Sequence, residues 1–205
     1  MVRSPAPAEP AQSGRLSLGS LGLECNLGGM NKPLSSIESL VRTVPDFPKP
    51  GIVFRDITPL LADAGGFARC IDAMAEPWQD SAIQAVCGIE SRGFIFGAAL
   101  AQKLHAGFVP LRKPNKLPPP VVEVEYQLEY GLDRLQARND SLRPNERVLL
   151  VDDVLATGGT LAAARTLVEK LGGTVCGAAL VIELAALQGR TRWRDDVPLH
   201  ALLRY

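Results

Sequence analysis

The residues Val148-Leu149-Leu150-Val151-Asp152-Asp153-Val154-Leu155-Ala156-Thr157-Gly158-Gly159-Thr160-Leu161 join an aliphatic run to two adjacent carboxylates, a turn of small residues and the start of a helical pattern. Small side chains allow the backbone N–H groups of Ala156 to Thr160 to converge, and a following helix adds the positive end of its dipole, so the turn suits a phosphate. Thr157 and Thr160 can add hydroxyl donors. The segment is not a Walker loop, because the spacing differs and no lysine precedes the last threonine. Two adjacent carboxylates at a strand end can hold a sugar diol, a divalent cation or both. An ordinary strand-to-helix turn with a cap is the plainer explanation, but such a turn needs neither the acidic pair nor the double glycine.

Three further segments carry candidate chemistry. Gly88-Ile89-Glu90-Ser91-Arg92-Gly93 offers backbone donors and a fixed guanidinium, which suit a second anion. Leu111-Arg112-Lys113-Pro114-Asn115-Lys116-Leu117-Pro118-Pro119-Pro120 has three cations and no acid, and its prolines forbid a regular helix or strand, so it reads as a loop that presents charge. Asn115 tolerates left-handed backbone angles better than most residues. Phe47-Pro48-Lys49-Pro50-Gly51-Ile52-Val53-Phe54-Arg55-Asp56 places a stiff turn before a short apolar strand, which could simply pack a phenylalanine into the core. Glu129, in Tyr126-Gln127-Leu128-Glu129-Tyr130-Gly131, reads in isolation as a surface carboxylate.

These segments must be held by a framework, and the hydrophobic pattern supplies one. Phe67, Cys70, Ile71 and Met74 share a helix face, Ile83 to Ile89 reads as a buried strand, and Gly93 to Leu104 as a helix. Phe108 to Leu111 and Arg147 to Val151 read as strands, Val121 to Tyr126 as a half-exposed strand or hairpin arm, Gly159 to Leu171 as a helix stopped by Gly172-Gly173, and Thr174 to Ile182 as another buried strand. Ser35-Ser36-Ile37-Glu38 has the form of a capping box opening the first helix. Alternating strands and helices predict an α/β fold with a mostly parallel twisted sheet flanked by helices and ligands at the carboxyl ends of the strands.

Composition narrows the function. Among 205 residues, 22 basic side chains balance 22 acidic ones, so the surplus of Lys and Arg that a nucleic acid or an anionic membrane surface demands is missing. No uninterrupted apolar stretch reaches the roughly 18 residues of a membrane span. Cys25, Cys70, Cys87 and Cys176 are scattered without a Cys-x-x-Cys pair, and only His105 and His200 could join them at a metal, so ordinary reduced thiols in a cytoplasmic protein are expected. Residues 1–29 have no sustained period and read as a flexible extension or an overlong start, with Met30 as an alternative first residue. Residues 30–205 read as a single domain.

The segment around Asp152 and Asp153 resembles the phosphoribosyl pyrophosphate motif of the type I phosphoribosyltransferases, and the other three segments follow that family's order. The resemblance runs from about Ser35 to Tyr205. It implies that Asp152 and Asp153 bind the ribose hydroxyls and that Ala156, Thr157, Gly158, Gly159 and Thr160 cradle the 5′-phosphate. It also implies that Ser91, Arg92, Arg112 and Lys116 meet the pyrophosphate, with a non-proline cis peptide near Glu90-Ser91. A small hood and a flexible catalytic loop would complete the fold. Asn115 departs from the glycine usual in relatives. The stretch from Phe47 is similar to the base-binding segment of adenine-specific members, which gives adenine contacts to Val53, Phe54, Arg55 and Val154 and the catalytic role to Glu129.

The implied reaction is adenine plus phosphoribosyl pyrophosphate giving AMP and pyrophosphate, a purine salvage step. Magnesium is the implied cofactor, held mainly through substrate and water with no direct protein ligand. A homodimer is implied, with no nucleic-acid or membrane partner. Another purine base (hypoxanthine, guanine or xanthine) is the alternative substrate. A non-catalytic sensor of phosphoribosyl pyrophosphate is the alternative from a different class, although such a module needs neither Glu129 nor the basic loop.

Overall fold

The computed structural model describes residues 32–128 and 131–205. The extension at 1–29, Met30, Glu129 and Tyr130 therefore lie outside the described residues. In chain order the elements are α1 (Lys32–Glu38), β1 (Arg42–Pro45), β2 (Val53–Asp56), α2 (Thr58–Ala62), α3 (Ala64–Ala75), β3 (Ala85–Ile89), α4 (Gly93–Lys103) and β4 (Gly107–Leu111). There follow β5 (Val121–Leu128), β6 (Gly131–Arg138), β7 (Arg147–Leu155), α5 (Gly159–Lys170), β8 (Thr174–Glu183) and β9 (Leu199–Arg204).

Five strands form a parallel sheet in the order β4-β3-β7-β8-β9. Period-two alternation divides their aliphatic side chains between two cores. Val148 and Leu150 of β7 join a cluster with Leu167 and Val168 of α5 and with Val124 and Leu135 of the β5–β6 hairpin. Leu149 and Val151 point the other way, to Met74 of α3 and Phe96 and Leu100 of α4. All four β7 side chains are fully buried, and each such burial stabilises the fold by about 1.5–3 kcal/mol. Because both faces are covered, the central strands carry continuous aliphatic runs, as the sequence predicts for β3, β7 and β8.

The path of the chain fixes where a ligand can enter. From β3 the chain crosses to β4 through α4, and from β7 it crosses to β8 through α5 on the opposite face. β3 and β7 are nevertheless neighbours, so the loops leaving their carboxyl ends diverge and open a crevice between them. Two antiparallel pairs complete the fold: β1–β2 forms the small hood, and β5–β6 leaves the sheet as a long hairpin.

Two boundaries differ from the sequence expectation by more than two residues. Ser35 to Glu38 lie in the second half of α1 and do not open it. Within the described residues the helix already runs from Lys32. The strand expected to end at Val151 continues through Leu155. Asp152 pairs with Leu180, Val154 with Ile182 and Leu155 with Glu183, so the two acids sit within the ladder instead of after it.

Candidate active site

The crevice at the carboxyl ends of β3 and β7 has a volume of about 310 Å³ and is lined by Glu90 to Arg92, Lys113 and the run from Asp152 to Leu161. On one side, β3 turns into α4 through a cis peptide between Glu90 and Ser91, as expected. A side chain at Gly93 would place its Cβ 2.8 Å from the carbonyl oxygen of Val151 and 3.0 Å from Oδ1 of Asp152. Glycine is needed there because the start of α4 abuts the end of β7.

On the other side, β7 runs into α5 through the small-residue turn. Gly158 adopts φ 81°, ψ −4° and caps α5 with its backbone, with no side-chain hydrogen bond at the cap. The first N–H groups of a helix have no partner within the helix, so the turn and the start of α5 leave backbone donors where an anion could bind. Thr157 and Thr160 line the crevice there with Ala156, Gly158 and Gly159.

The acidic pair lies between these two sides. Asp153 is buried, and its Oδ2 is 3.0 Å from Nε of Arg92. Its backbone N–H donates to Oδ1 of Asp152 at 2.9 Å. Burial pushes the Asp152 carboxyl well above the usual carboxylate range, and the adjacent charge of Asp153 pushes it further. Burial also raises Asp153, while the guanidinium of Arg92 opposes that rise. Such a pair gives up its protons jointly and can both accept from and donate to a diol.

The basic loop is arranged differently from the simplest expectation. Arg112 pairs with Glu90 at 3.4 Å and donates to the carbonyl oxygen of Lys116 at 3.2 Å, which braces the loop internally. Lys116 is exposed, and neither it nor Arg112 belongs to the crevice lining. Lys113 does line the crevice, a role that its place in the basic run hinted at but did not single out. Its ammonium meets the carboxylate of Asp133 and the hydroxyl of Tyr126, and Thr160 Oγ1 stands 3.5 Å from the same hydroxyl. Asn115 adopts φ 64°, the left-handed conformation that asparagine tolerates.

Of the expected base-binding residues, Val154 lines the crevice. Phe54 lies at its margin, with its ring 5.7 Å from the Arg92 guanidinium and packed edge-on against Phe47 at 5.2 Å. The side chain of Arg55 is directed elsewhere: it donates to Thr43 Oγ1 at 2.6 Å and stacks on Tyr205 at 3.8 Å. Val53 is exposed. Glu129 falls between β5 and β6, outside the described residues.

Comparison with known proteins places these features in a family. Residues 60–198 match the phosphoribosyl transferase domain. The adenine phosphoribosyltransferase of Xanthomonas campestris pv. campestris (strain B100) is 58% identical over 165 residues, covering 80% of this chain and 89% of the relative. The crystal structure of adenine phosphoribosyltransferase from Rhodothermus marinus is similar with a TM-score of 0.80 at 50% identity, covering 84% of this chain and 98% of that one. The Saccharomyces cerevisiae enzyme, complexed with an imino-altritol bisphosphate and adenine, is similar with a TM-score of 0.79 at 36% identity, over 83% of this chain and 98% of that one.

Proposed function

This chain belongs to the phosphoribosyltransferase family, among the adenine phosphoribosyltransferases, and from that premise we propose how its crevice divides the work. The enzyme transfers the phosphoribosyl group of phosphoribosyl pyrophosphate to adenine, giving AMP and pyrophosphate in purine salvage. The observation that carries the assignment of roles is the Arg92–Asp153 pair at 3.0 Å, set beside Asp152 and facing the Gly158-Gly159 cradle across one crevice. That arrangement supports reading Arg92 as the pyrophosphate cation, the acidic pair as the diol acceptor and the glycine turn as the phosphate cradle.

Asp152 and Asp153 hold the ribose hydroxyls, and the backbone N–H groups from Ala156 to Thr160 hold the 5′-phosphate. Ser91 and Arg92 receive the pyrophosphate, joined by Arg112 and Lys116 when the basic loop closes over the bound substrate. Adenine lies against Phe54 and Val154, with the backbone at Val53 and Arg55 reading its edge; the imino-altritol bisphosphate and adenine in the yeast enzyme support such a pairing of phosphorylated sugar and base. The reaction breaks the bond from the anomeric carbon to the pyrophosphate oxygen and forms the bond to N9 of adenine. The sugar passes through an oxocarbenium-like state, so the protein must steady positive charge on the ring while negative charge accumulates on the leaving group. Arg92 lies on the leaving-group side and the acidic pair on the ribose side. Glu129 handles the adenine proton near N7 or N9 and helps to stabilise the cationic sugar.

Magnesium fits this donor set as a hard cation that prefers oxygen and keeps most of its water. The ion would be held chiefly through substrate oxygens and water beside Asp152 and Asp153. When bound it neutralises the leaving pyrophosphate. A homodimer in the cytoplasm completes the proposal.

A coupled assay of pyrophosphate release with adenine, hypoxanthine, guanine and xanthine tests the reading. Turnover with adenine far above the other three is the expected result. Equal or better turnover with an oxopurine would refute the base assignment.

A further inference from the structure

The turn Gly189–Arg192 touches neither the sugar nor the base in the reading above, yet it is the surface on which the phosphate cradle rests. A Cβ on Gly158 would lie 2.3 Å from the carbonyl oxygen of Gly189. Reciprocally, a Cβ on Gly189 would lie 2.2 Å from the carbonyl oxygen of Ala156 and 2.9 Å from the Gly158 nitrogen. The two backbones are therefore packed directly on each other with no side chain between them. The cradle cannot hold its shape unless residue 189 is itself held still.

What holds it is an ion pair at the carboxyl end of β8, where Glu183 lies beside Leu155 of β7. Glu183, the last residue of β8, has only 5% of its side chain exposed. Arg190 grips it with both prongs, Nε to Oε1 at 3.1 Å and Nη2 to Oε2 at 2.6 Å, while Nη1 donates to the carbonyl oxygen of Leu199 at 3.0 Å in β9. One planar guanidinium thus ties the turn to two parallel strands, a geometry that an ammonium could not reproduce. Arg204 adds a second cation 3.9 Å from Glu183. At the turn's other end, the Trp193 indole N–H donates to the carbonyl oxygen of Val197 at 2.7 Å. Arg192 brings its Nη1 to 3.4 Å from where a Cβ on Gly159 would be, so any movement of the turn also moves a cation at the rim of the cradle.

We propose that Arg190, through its paired bonds to Glu183 and the backbone contact of Gly189 with Ala156 and Gly158, is a positioning residue for 5′-phosphate binding. It touches no substrate. It fixes the backbone N–H groups that do, and phosphate recognition by converging N–H groups is sensitive to displacements of an ångström or less. The proposal rests on the assignment of residues 156–160 as the phosphate cradle.

The test uses the full chain and ribose 5-phosphate as the probe, because that molecule reports on the cradle without the pyrophosphate side. Calorimetric affinity for ribose 5-phosphate, KM for phosphoribosyl pyrophosphate and KM for adenine at a saturating level of the co-substrate are measured for native protein, Arg190→Met, Arg190→Lys and Gly189→Ala. Arg190→Met should weaken ribose 5-phosphate binding and raise KM for phosphoribosyl pyrophosphate by about tenfold or more, leaving KM for adenine within about twofold. Arg190→Lys should fall between native and Met. Gly189→Ala should give the Met pattern although it leaves the ion pair intact, and with Arg190→Lys it decides the matter if Arg190→Met does not fold. Folded variants with native ribose 5-phosphate affinity would overturn the proposal. Failure of the native protein itself to bind ribose 5-phosphate would instead refute the cradle assignment beneath it.

Discussion

Replacing Arg92 with methionine, which keeps most of the volume and removes the charge, should weaken phosphoribosyl pyrophosphate binding in a way the structure allows to be sized. The guanidinium lies 3.0 Å from Asp153, and with an effective dielectric of about 20 two unit charges at that spacing attract by about 5–6 kcal/mol. Asp153 keeps only 6% of its side chain exposed but Arg92 keeps 40%, so solvent screening and the cost of ordering a long side chain reduce the net value to about 1–2 kcal/mol. That energy is lost from the fold; affinity falls because the variant also loses the charge-assisted contact of Arg92 with the pyrophosphate, about 1.5–3 kcal/mol, or about 10- to 150-fold in the dissociation constant measured by titration calorimetry. The variant should also shift the pH profile. Burial already raises the Asp153 carboxyl and Arg92 opposes the rise, so without Arg92 it gains its proton at a higher pH, and the acid side of the binding profile should move upward. Arg92→Lys should fall between the two. Native affinity and an unmoved profile in Arg92→Met would refute the view that this cation organises the acidic pair.

Other consequences follow from the same contacts. Glu129→Gln should keep the fold and substrate binding while lowering turnover by at least about tenfold in steady-state assays with adenine; full activity would remove Glu129 from the mechanism. Gly93→Ala should lower the thermal midpoint by roughly 3–10 °C, because its Cβ would press on the Val151 carbonyl at 2.8 Å and such overpacking costs about 1–3 kcal/mol. Glu183 is held below the usual carboxylate range, chiefly by its hydrogen bonds from Arg190. A depressed carboxyl contributes stability that is present above its unfolded value and is lost as pH falls through the folded one, so Glu183→Gln should flatten the acid limb of a denaturation-versus-pH curve below about pH 4.5.

Much of this site is legible in the sequence because its parts are local. A strand, two acids, a small-residue turn and a helix occur consecutively between Val148 and Leu161, so their chemistry survives without coordinates, and the left-handed Asn115 is written in its side chain. What the sequence does not disclose comes from contacts between distant segments. Nothing near Gly189 predicts that it packs on Gly158, because both neighbours are backbone atoms. The choice of Lys113 over Arg112 as the loop cation lining the crevice depends on Glu90, which draws Arg112 aside. The extension of β7 to Leu155 depends on pairing with β8, which no periodicity within 147–155 reveals.

The most direct test of the account is calorimetric titration of phosphoribosyl pyrophosphate into the double variant Asp152→Asn, Asp153→Asn beside native protein. These two side chains join the cation of Arg92 to the phosphate cradle, and removing both charges should abolish tight binding while the variant stays folded. Unchanged affinity in the folded variant would show that the ribose lies elsewhere and that the crevice between β3 and β7 has been misread.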